Sequence, residues 1–113
     1  MKYYHNPRCR KSREGLELLN NNNHEYEIIE YLKNPLTKKE LAEILSFLKM
    51  NPMELIRKNE KFYKENIKGK TLSEDEVLDF MVLEPKLIER PILVNKNKAI
   101  IGRPAENLLK ITD

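Results

Sequence analysis

The sequence contains a single cysteine among its 113 residues, so it cannot form an internal disulfide. It also has no basic-then-apolar leader pattern, and no apolar run approaches the roughly 20 residues that a membrane-spanning helix needs. The formal net charge is only +3, which is far from the basic footprint of a nucleic-acid-binding domain. We therefore expect a cytoplasmic protein with neither nucleic acid nor membrane as a partner.

Repeats and linkers are lacking as well. A chain of this length can build one hydrophobic core but is too short for two. We predict a single domain over residues 1–113, and we expect it to be a monomer.

The first thirty residues alternate between strand and helix patterns. Met1–Tyr4 is a short strand candidate that ends at the turn-forming pair Asn6-Pro7. A helix is predicted from about Cys9 into the asparagine run at 20–23, and a second strand over residues 24–31. A right-handed crossover would make the two strands parallel.

The middle of the chain carries helix start signals. Thr37 and Ser73 each precede a glutamate by three residues, which is the capping-box pattern, and apolar residues follow at helical spacing. The pair Asn51-Pro52 predicts a further helix through about Lys58. We therefore predict a helical insert over about residues 36–88.

The end of the chain predicts a β-hairpin and a last helix. Residues 91–94 and 99–101 are apolar and flank a polar tetrad, and Pro104 precedes another helical pattern. The complete order is β-α-β, a helical insert, then β-β-α. This is the element order of an α/β thioredoxin-like fold, with a mixed four-stranded sheet and the insert between its two halves.

The one thiol lies in a basic segment at a predicted helix start. Residues 1–13 hold five cations and no acidic residue. Positive charge and the backbone N–H groups of a helix start both favour the thiolate of Cys9. Lowering a thiol pKa from about 8.5 by two units raises the thiolate fraction at pH 7 from about 3% to about three quarters. Ser12 occupies the second position of a C-x-x-C spacing, where its hydroxyl can bond the thiolate but cannot resolve a disulfide.

Three arginines stand out by context, because each adjoins an apolar run. Arg57 lies in "ELIRKN", Arg90 in "IERP" and Arg103 in "IGRP". The bond between Arg90 and Pro91, just before a predicted strand, is a natural place for a cis peptide.

Four separated segments resemble one known family. "YHNPRCRKSREGLELL", "ELIRKNEKFYKE", "VLDFMVLEPKLIERPILV" and "IGRPAENLLKI" are similar, in order and approximate spacing, to the glutaredoxin-coupled arsenate reductase (ArsC) family. The resemblance covers essentially the whole chain and is nearest to the short arsenate-reductase-like members.

The resemblance implies a set of site residues. It gives Cys9 as the nucleophile with His5 and Ser12 beside it, and a cis proline at Pro91. The residues that match the family's oxyanion-binding arginines are Arg57, Arg90 and Arg103. By comparison, Arg8, Arg10 and Lys11 are expected to contribute helix-start electrostatics or partner contacts.

The resemblance also implies an activity. Arsenate, or a similar oxyanion, would be reduced to arsenite with electrons from glutathione, a co-substrate, and from glutaredoxin. No bound cofactor or metal is expected.

Two other functions stay open at this point. One is a monothiol, glutathione-linked oxidoreductase acting on another substrate, since the same cysteine, arginines and cis proline would also serve glutathione. The other is a redox regulator of the Spx type, which shares the fold and binds RNA polymerase. Ser12 in place of a second cysteine argues against that regulator.

Overall fold

The computed structural model describes residues Met1–Thr112. The chain packs as two compact units, one formed by Met1–Asn34 with Arg90 and the residues after it, the other by Pro35–Glu89. The predicted insert at about 36–88 nearly coincides with the second unit, and the single domain stays a prediction. Over the described residues, no helix combines the length and apolar character needed to cross a membrane.

The first unit is built on one sheet. Among the described residues its strands are β1 (Lys2–Tyr4), β2 (Glu27–Ile29), β3 (Ile92–Asn95) and β4 (Lys98–Ile101), in the order β2-β1-β3-β4. β1 pairs parallel with β2 and antiparallel with β3, and β3 pairs antiparallel with β4. The predicted mixed four-stranded sheet and the parallel first pair are confirmed.

Two helices pack in the described part of this unit. α1 (Arg10–Asn21) connects β1 to β2, and the last helix, Ala105–Ile111, is a 3-10 helix that packs against α1. Their apolar faces meet those of the strands in a core of fully buried side chains: Tyr3, Leu19, Leu93 and Leu108. This core holds α1 against the sheet, because burying such side chains is the main stabilising contribution to a small domain.

The second unit is helical, as predicted. It contains α2 (Lys38–Leu48), α3 (Lys61–Asn66) and α4 (Glu74–Leu83), with 3-10 helices at Pro52–Leu55 and Pro85–Leu87. The capping boxes predicted at the starts of α2 and α4 are both present. α2 packs against α4, and Lys38 Nζ lies 2.7 Å from Asp75 Oδ1 and 2.9 Å from Asp79 Oδ1.

The helix predicted from Asn51-Pro52 to about Lys58 is wrong in length. A 3-10 helix ends at Leu55, because Ile56 turns extended and forms an antiparallel bridge with Ile88. The second strand is also shorter than predicted, covering Glu27–Ile29 instead of residues 24–31.

Candidate active site

Cys9 stands at the junction of β1 and α1. The His5 N–H donates to Ile29 O at 2.9 Å, which extends the pairing of β1 with β2 by one bond. The Asn6-Pro7 turn follows, and the Cys9 N–H donates back to Asn6 O at 3.0 Å. Cys9 is the N-cap of α1, with extended backbone angles, and its thiol is half-buried.

The pKa of the Cys9 thiol lies below its ordinary value. Burial is the largest single influence and raises the pKa, but it is outweighed. The Ser12 backbone N–H and the Arg90 side chain stabilise the thiolate, and the Lys11 N–H contributes further. The helix start therefore favours the nucleophilic form through its own backbone, as expected for a thiol at an N-terminus.

The sheet brings two arginines to the thiol. Tyr4 pairs with Ile92, and Ile92 pairs with Ile101, so the end of β1, the start of β3 and the end of β4 lie at the same end of the sheet, with β3 in the middle. Arg90 lies just before β3 and Arg103 just after β4. Both are followed by cis peptide bonds, to Pro91 and to Pro104.

Arg103 contacts both the sulfur and Arg90. Its Nη2 lies 3.9 Å from Cys9 Sγ, at the outer limit of a hydrogen bond to sulfur, and its Nε donates to Arg90 O at 2.8 Å. The second bond fixes the plane of the guanidinium, so Arg103 is oriented by the backbone of the other arginine.

The Arg90 guanidinium is buried and incompletely paired. Its side chain is more than nine-tenths buried, and Nε has no hydrogen-bond acceptor among residues 1–112. A buried donor without an acceptor costs about 1–3 kcal/mol, and more when it is charged. An oxyanion beside Cys9 would provide the missing acceptor.

Ser12 and His5 form a buried pair between the end of β1 and the first turn of α1. His5 Nδ1 lies 2.7 Å from Ser12 Oγ, which also accepts the Asn6 N–H at 3.0 Å. From the sequence, the Ser12 hydroxyl was a candidate hydrogen-bond donor to the thiolate. In the structure the hydroxyl contacts His5 and Asn6, and it is the Ser12 backbone N–H that hydrogen-bonds to the sulfur.

The pKa of His5 is lowered. Burial is the main cause, and the positive charge of Arg13 acts in the same direction. The Glu30 carboxylate raises the pKa and offsets part of this effect. The neutral imidazole is therefore the main form at pH 7, and His5 adds little positive charge beside the thiol.

Arg57 belongs to the second unit, where its contacts are with acids. Nη1 lies 3.4 Å from Glu60 Oε2, and Nε lies 3.4 Å from Glu89 Oε1. Its backbone N–H donates to Leu87 O at 2.7 Å. A role for Arg57 in binding an oxyanion stays a prediction from the resemblance.

Most cations of the basic segment point away from the sulfur. Arg10 and Lys11 pair with Glu14, at 3.1 and 3.7 Å, and Arg13 donates to Pro7 O at 2.9 Å. These exposed pairs contribute little to stability. The exposed cations of this segment are therefore held by local partners, whereas the positive charge beside the thiol comes from two arginines more than eighty positions away in the sequence.

Sequence reasoning missed Tyr3. Its hydroxyl donates to Ser12 O at 2.5 Å and thereby holds the first turn of α1 from the sheet side. No sequence pattern distinguishes this tyrosine from an ordinary strand residue.

Comparison with known proteins agrees with this arrangement. The sequence profile of the ArsC family matches residues 4–111. This chain belongs to the ArsC family.

Similar proteins span the whole of the described architecture. The chain is 49% identical to the uncharacterised protein YfgD of Escherichia coli K12, covering 98% of this chain and 95% of that one. It is 38% identical to an arsenate reductase of the same organism, covering 96% of this chain and 77% of the relative. The solved structure of an arsenate reductase from Vibrio cholerae matches with a TM-score of 0.93 at 41% identity, over 98% of both chains. The thioredoxin-like fold of the ArsC family is confirmed.

The arrangement in this ArsC-family chain combines two chemical capacities. The thiol is poised as a nucleophile, and two guanidinium groups beside it can bind an anion. Guanidinium matches the geometry of tetrahedral oxyanions better than ammonium does, because its donors form a planar fork.

Proposed function

We propose that this protein reduces arsenate to arsenite, with Cys9 as the nucleophile and Arg90 and Arg103 as ligands of the oxyanion. The observation that carries the proposal is the buried Arg90 guanidinium, which supports the Cys9 thiolate while its own Nε has no acceptor in residues 1–112. The arsenate reductases among the similar proteins support the choice of substrate.

Electrostatics explains why the arginines matter. A thiolate and an arsenate anion repel each other, and the repulsion must be offset before sulfur can approach arsenic. One ion pair at 4 Å contributes about 4 kcal/mol at an effective dielectric of 20. Two guanidinium groups are enough to bring the reactants together.

The proposed reaction has three steps that balance. The Cys9 sulfur bonds to As(V), and hydroxide or water leaves. The thiolate of glutathione then attacks the Cys9 sulfur, and the electron pair of the broken S–As bond goes to arsenic, which leaves as As(III). A thiolate of glutaredoxin finally attacks the glutathione sulfur of the mixed disulfide and releases Cys9. With Ser12 at the position of a second cysteine, the electrons must come from outside the chain.

The decisive assay is arsenate-dependent NADPH oxidation in the presence of glutathione, glutaredoxin and glutathione reductase. We expect turnover in the native protein and none in Cys9→Ser. Absent turnover, together with a Cys9 that still alkylates quickly, would instead support the monothiol oxidoreductase that the sequence left open.

The arginines are tested by the same assay. Arg90→Gln should raise the KM for arsenate by about tenfold or more, the equivalent of 1.4 kcal/mol. Arg10→Gln is the matched control, because Arg10 is exposed and pairs with Glu14. An equal effect of the two variants would contradict a specific oxyanion site.

Arg57 is proposed as a third ligand on the resemblance alone. Arg57→Gln should then raise the KM for arsenate with little change in the unfolding temperature. An unchanged KM would limit Arg57 to its ion pairs with Glu60 and Glu89.

A further inference from the structure

A groove of about 220 Å³ opens on the first unit beside the turn that leads to Cys9. One wall is the buried His5 and the segment Asn6-Pro7-Arg8. The other is formed by Glu30, Leu32 and Lys33, just after β2. None of these lining residues takes part in a step of the reaction proposed above.

The sheet explains why the groove lies there. β1 and β2 are parallel, and the bond from the His5 N–H to Ile29 O keeps their carboxyl ends side by side. The Lys33 and Asn34 N–H groups then both donate to Glu30 O at 3.0 Å, which turns the chain after β2. Crevices at the carboxyl ends of parallel strands are the usual ligand sites of α/β sheets.

The lining combines one carboxylate with two cations. Glu30 provides the acid, and Arg8 and Lys33 provide the positive charges. Glu30 Oε1 lies 3.6 Å from Lys33 Nζ in a largely exposed pair, which a ligand can replace at little cost. Pro7 and Leu32 add apolar surface between the charged groups. This set complements an α-amino acid, whose ammonium and carboxylate stand on one carbon with methylene groups attached.

We infer that this groove binds the γ-glutamyl head of glutathione, with Glu30 accepting from its ammonium and Arg8 and Lys33 binding its α-carboxylate. The inference rests on the proposed function, in which glutathione is the co-substrate. The groove is smaller than the roughly 300–1,000 Å³ of sites that enclose a whole drug-sized ligand, so it holds the head and leaves the cysteinyl part outside.

The groove is close enough to Cys9 for this role. Arg8 and Pro7 line it and directly precede Cys9 in the chain, and the Cys9 N–H bonds to Asn6 O at 3.0 Å, so one turn joins the groove to the nucleophile. The γ-linkage of glutathione separates its head from its thiol by a flexible chain. The sulfur can therefore approach Cys9 while the head stays bound.

The test is thiol–disulfide exchange of the reduced protein with oxidised glutathione at mildly alkaline pH, where His5 is neutral. The Cys9 thiolate attacks one sulfur, a mixed disulfide forms, and one glutathione thiolate leaves, with no net oxidation. Two other disulfides serve as probes: dithiodipropionate, which carries carboxylates without ammonium, and hydroxyethyl disulfide, which is neutral. Rates are followed by mass spectrometry of the intact protein.

The variant Glu30→Gln distinguishes a specific contact with the ammonium group of glutathione from long-range attraction of any anionic disulfide. Removing a carboxylate speeds reaction with any anionic disulfide if only long-range attraction matters. Loss of the ammonium contact instead slows reaction with oxidised glutathione by about tenfold, while dithiodipropionate reacts at least as fast as before. Lys33→Gln should slow both anionic disulfides, and Glu27→Gln, an exposed acid on β2, should change none.

Two results would overturn the inference. One is an unchanged or faster reaction of Glu30→Gln with oxidised glutathione. The other is equal slowing with all three disulfides, which would show a defect of Cys9 itself. Because the exchange needs no arsenate, absent arsenate turnover with intact selectivity for glutathione would remove the proposed function and leave the groove assignment standing.

Discussion

At the scale of single residues, the Cys9 thiolate is stabilised by two kinds of partner, a backbone N–H of its own helix and an arginine that lies just before another strand. The Ser12 N–H reaches the sulfur because Cys9 caps the helix, whereas Arg90 reaches it because β3 starts beside the end of β1. The first is local geometry that any helix start provides. The second is tertiary, and a substitution can remove it without altering the helix.

Arg90→Gln should therefore raise the pKa of Cys9, since it removes both a hydrogen bond and a positive charge from the thiolate. The pH profile of iodoacetamide alkylation measures this, and the rate at neutral pH should fall several-fold. Arg10→Gln, at an exposed position paired with Glu14, should leave the profile in place. Coincident profiles for Arg90→Gln and the native protein would show that the helix start alone activates the thiol.

Protonation of His5 should make the stability of the protein depend on pH. Its pKa is lowered mainly by burial, so between that pKa and about 6.5 the unfolded chain binds more protons than the folded one. The free energy of unfolding should therefore decrease as pH falls through this window. Urea unfolding from about pH 8 to about pH 5 measures the slope, which should be shallower in His5→Gln than in the control His24→Gln. Equal slopes would exclude His5 as the group responsible.

At the scale of elements, α1 depends on a glycine for its approach to the sheet. A Cβ added at Gly15 would meet the Tyr3 hydroxyl, would lie 2.9 Å from Leu108 Cδ1 and would lie 3.3 Å from Pro91 Cγ. The same tyrosine hydroxyl holds Ser12 O, so crowding at Gly15 acts directly on the turn that carries Cys9.

Gly15→Ala should destabilise the protein by about 1–3 kcal/mol despite alanine's higher helix propensity, because the site has no room for the methyl group. Glu17→Ala, at an exposed position of the same helix, is the control and should be neutral or slightly stabilising. Chemical denaturation of both variants gives the comparison. A more stable Gly15→Ala would mean that α1 can shift away from the sheet.

Local signals in the sequence predicted most elements and failed where tertiary contacts decide. The capping boxes at Thr37 and Ser73 are short-range patterns, and both were read correctly. The end of the 3-10 helix at Leu55 depends on the bridge from Ile56 to Ile88, thirty-two positions away, which no local pattern encodes. α3 was missed because it has only six residues and no side-chain cap at its start, so neither a start signal nor a long apolar pattern marks it.

The candidate site shows the same division. Cys9 at a helix start could be recognised from its neighbours, and Arg90 and Arg103 only through the resemblance, because their approach to the thiol requires the sheet to be formed. The ion-pair partners of the exposed cations could not be predicted from the sequence. Arg10 and Lys11 pair with Glu14, and which partner a long exposed side chain takes is decided by the folded surroundings.

At the scale of the whole molecule, the uneven distribution of charge should affect encounters with anions. The net charge is small, but residues 1–13, which include the thiol, contain five lysines and arginines and no acidic residue. Such local fields attract anionic reactants and are weakened by salt.

Cys9 should accordingly prefer iodoacetate over iodoacetamide more strongly at low salt than at high salt. The two reagents alkylate by the same chemistry and differ in charge, so their rate ratio isolates the electrostatic part. The ratio should fall several-fold between about 0.01 and 1 M salt, as the screening length falls from about 30 to about 3 Å. A ratio that does not change with salt would show that the cations of residues 1–13 do not attract anionic reagents to Cys9.

The solitary thiol at the head of α1 also has a practical consequence. A fluorinated or paramagnetic tag attached by ordinary sulfhydryl chemistry will occupy one position in the chain, next to the guanidinium groups of Arg90 and Arg103. No competing sulfhydryl has to be engineered away. The native sequence is thus ready for spectroscopic titration with candidate anions.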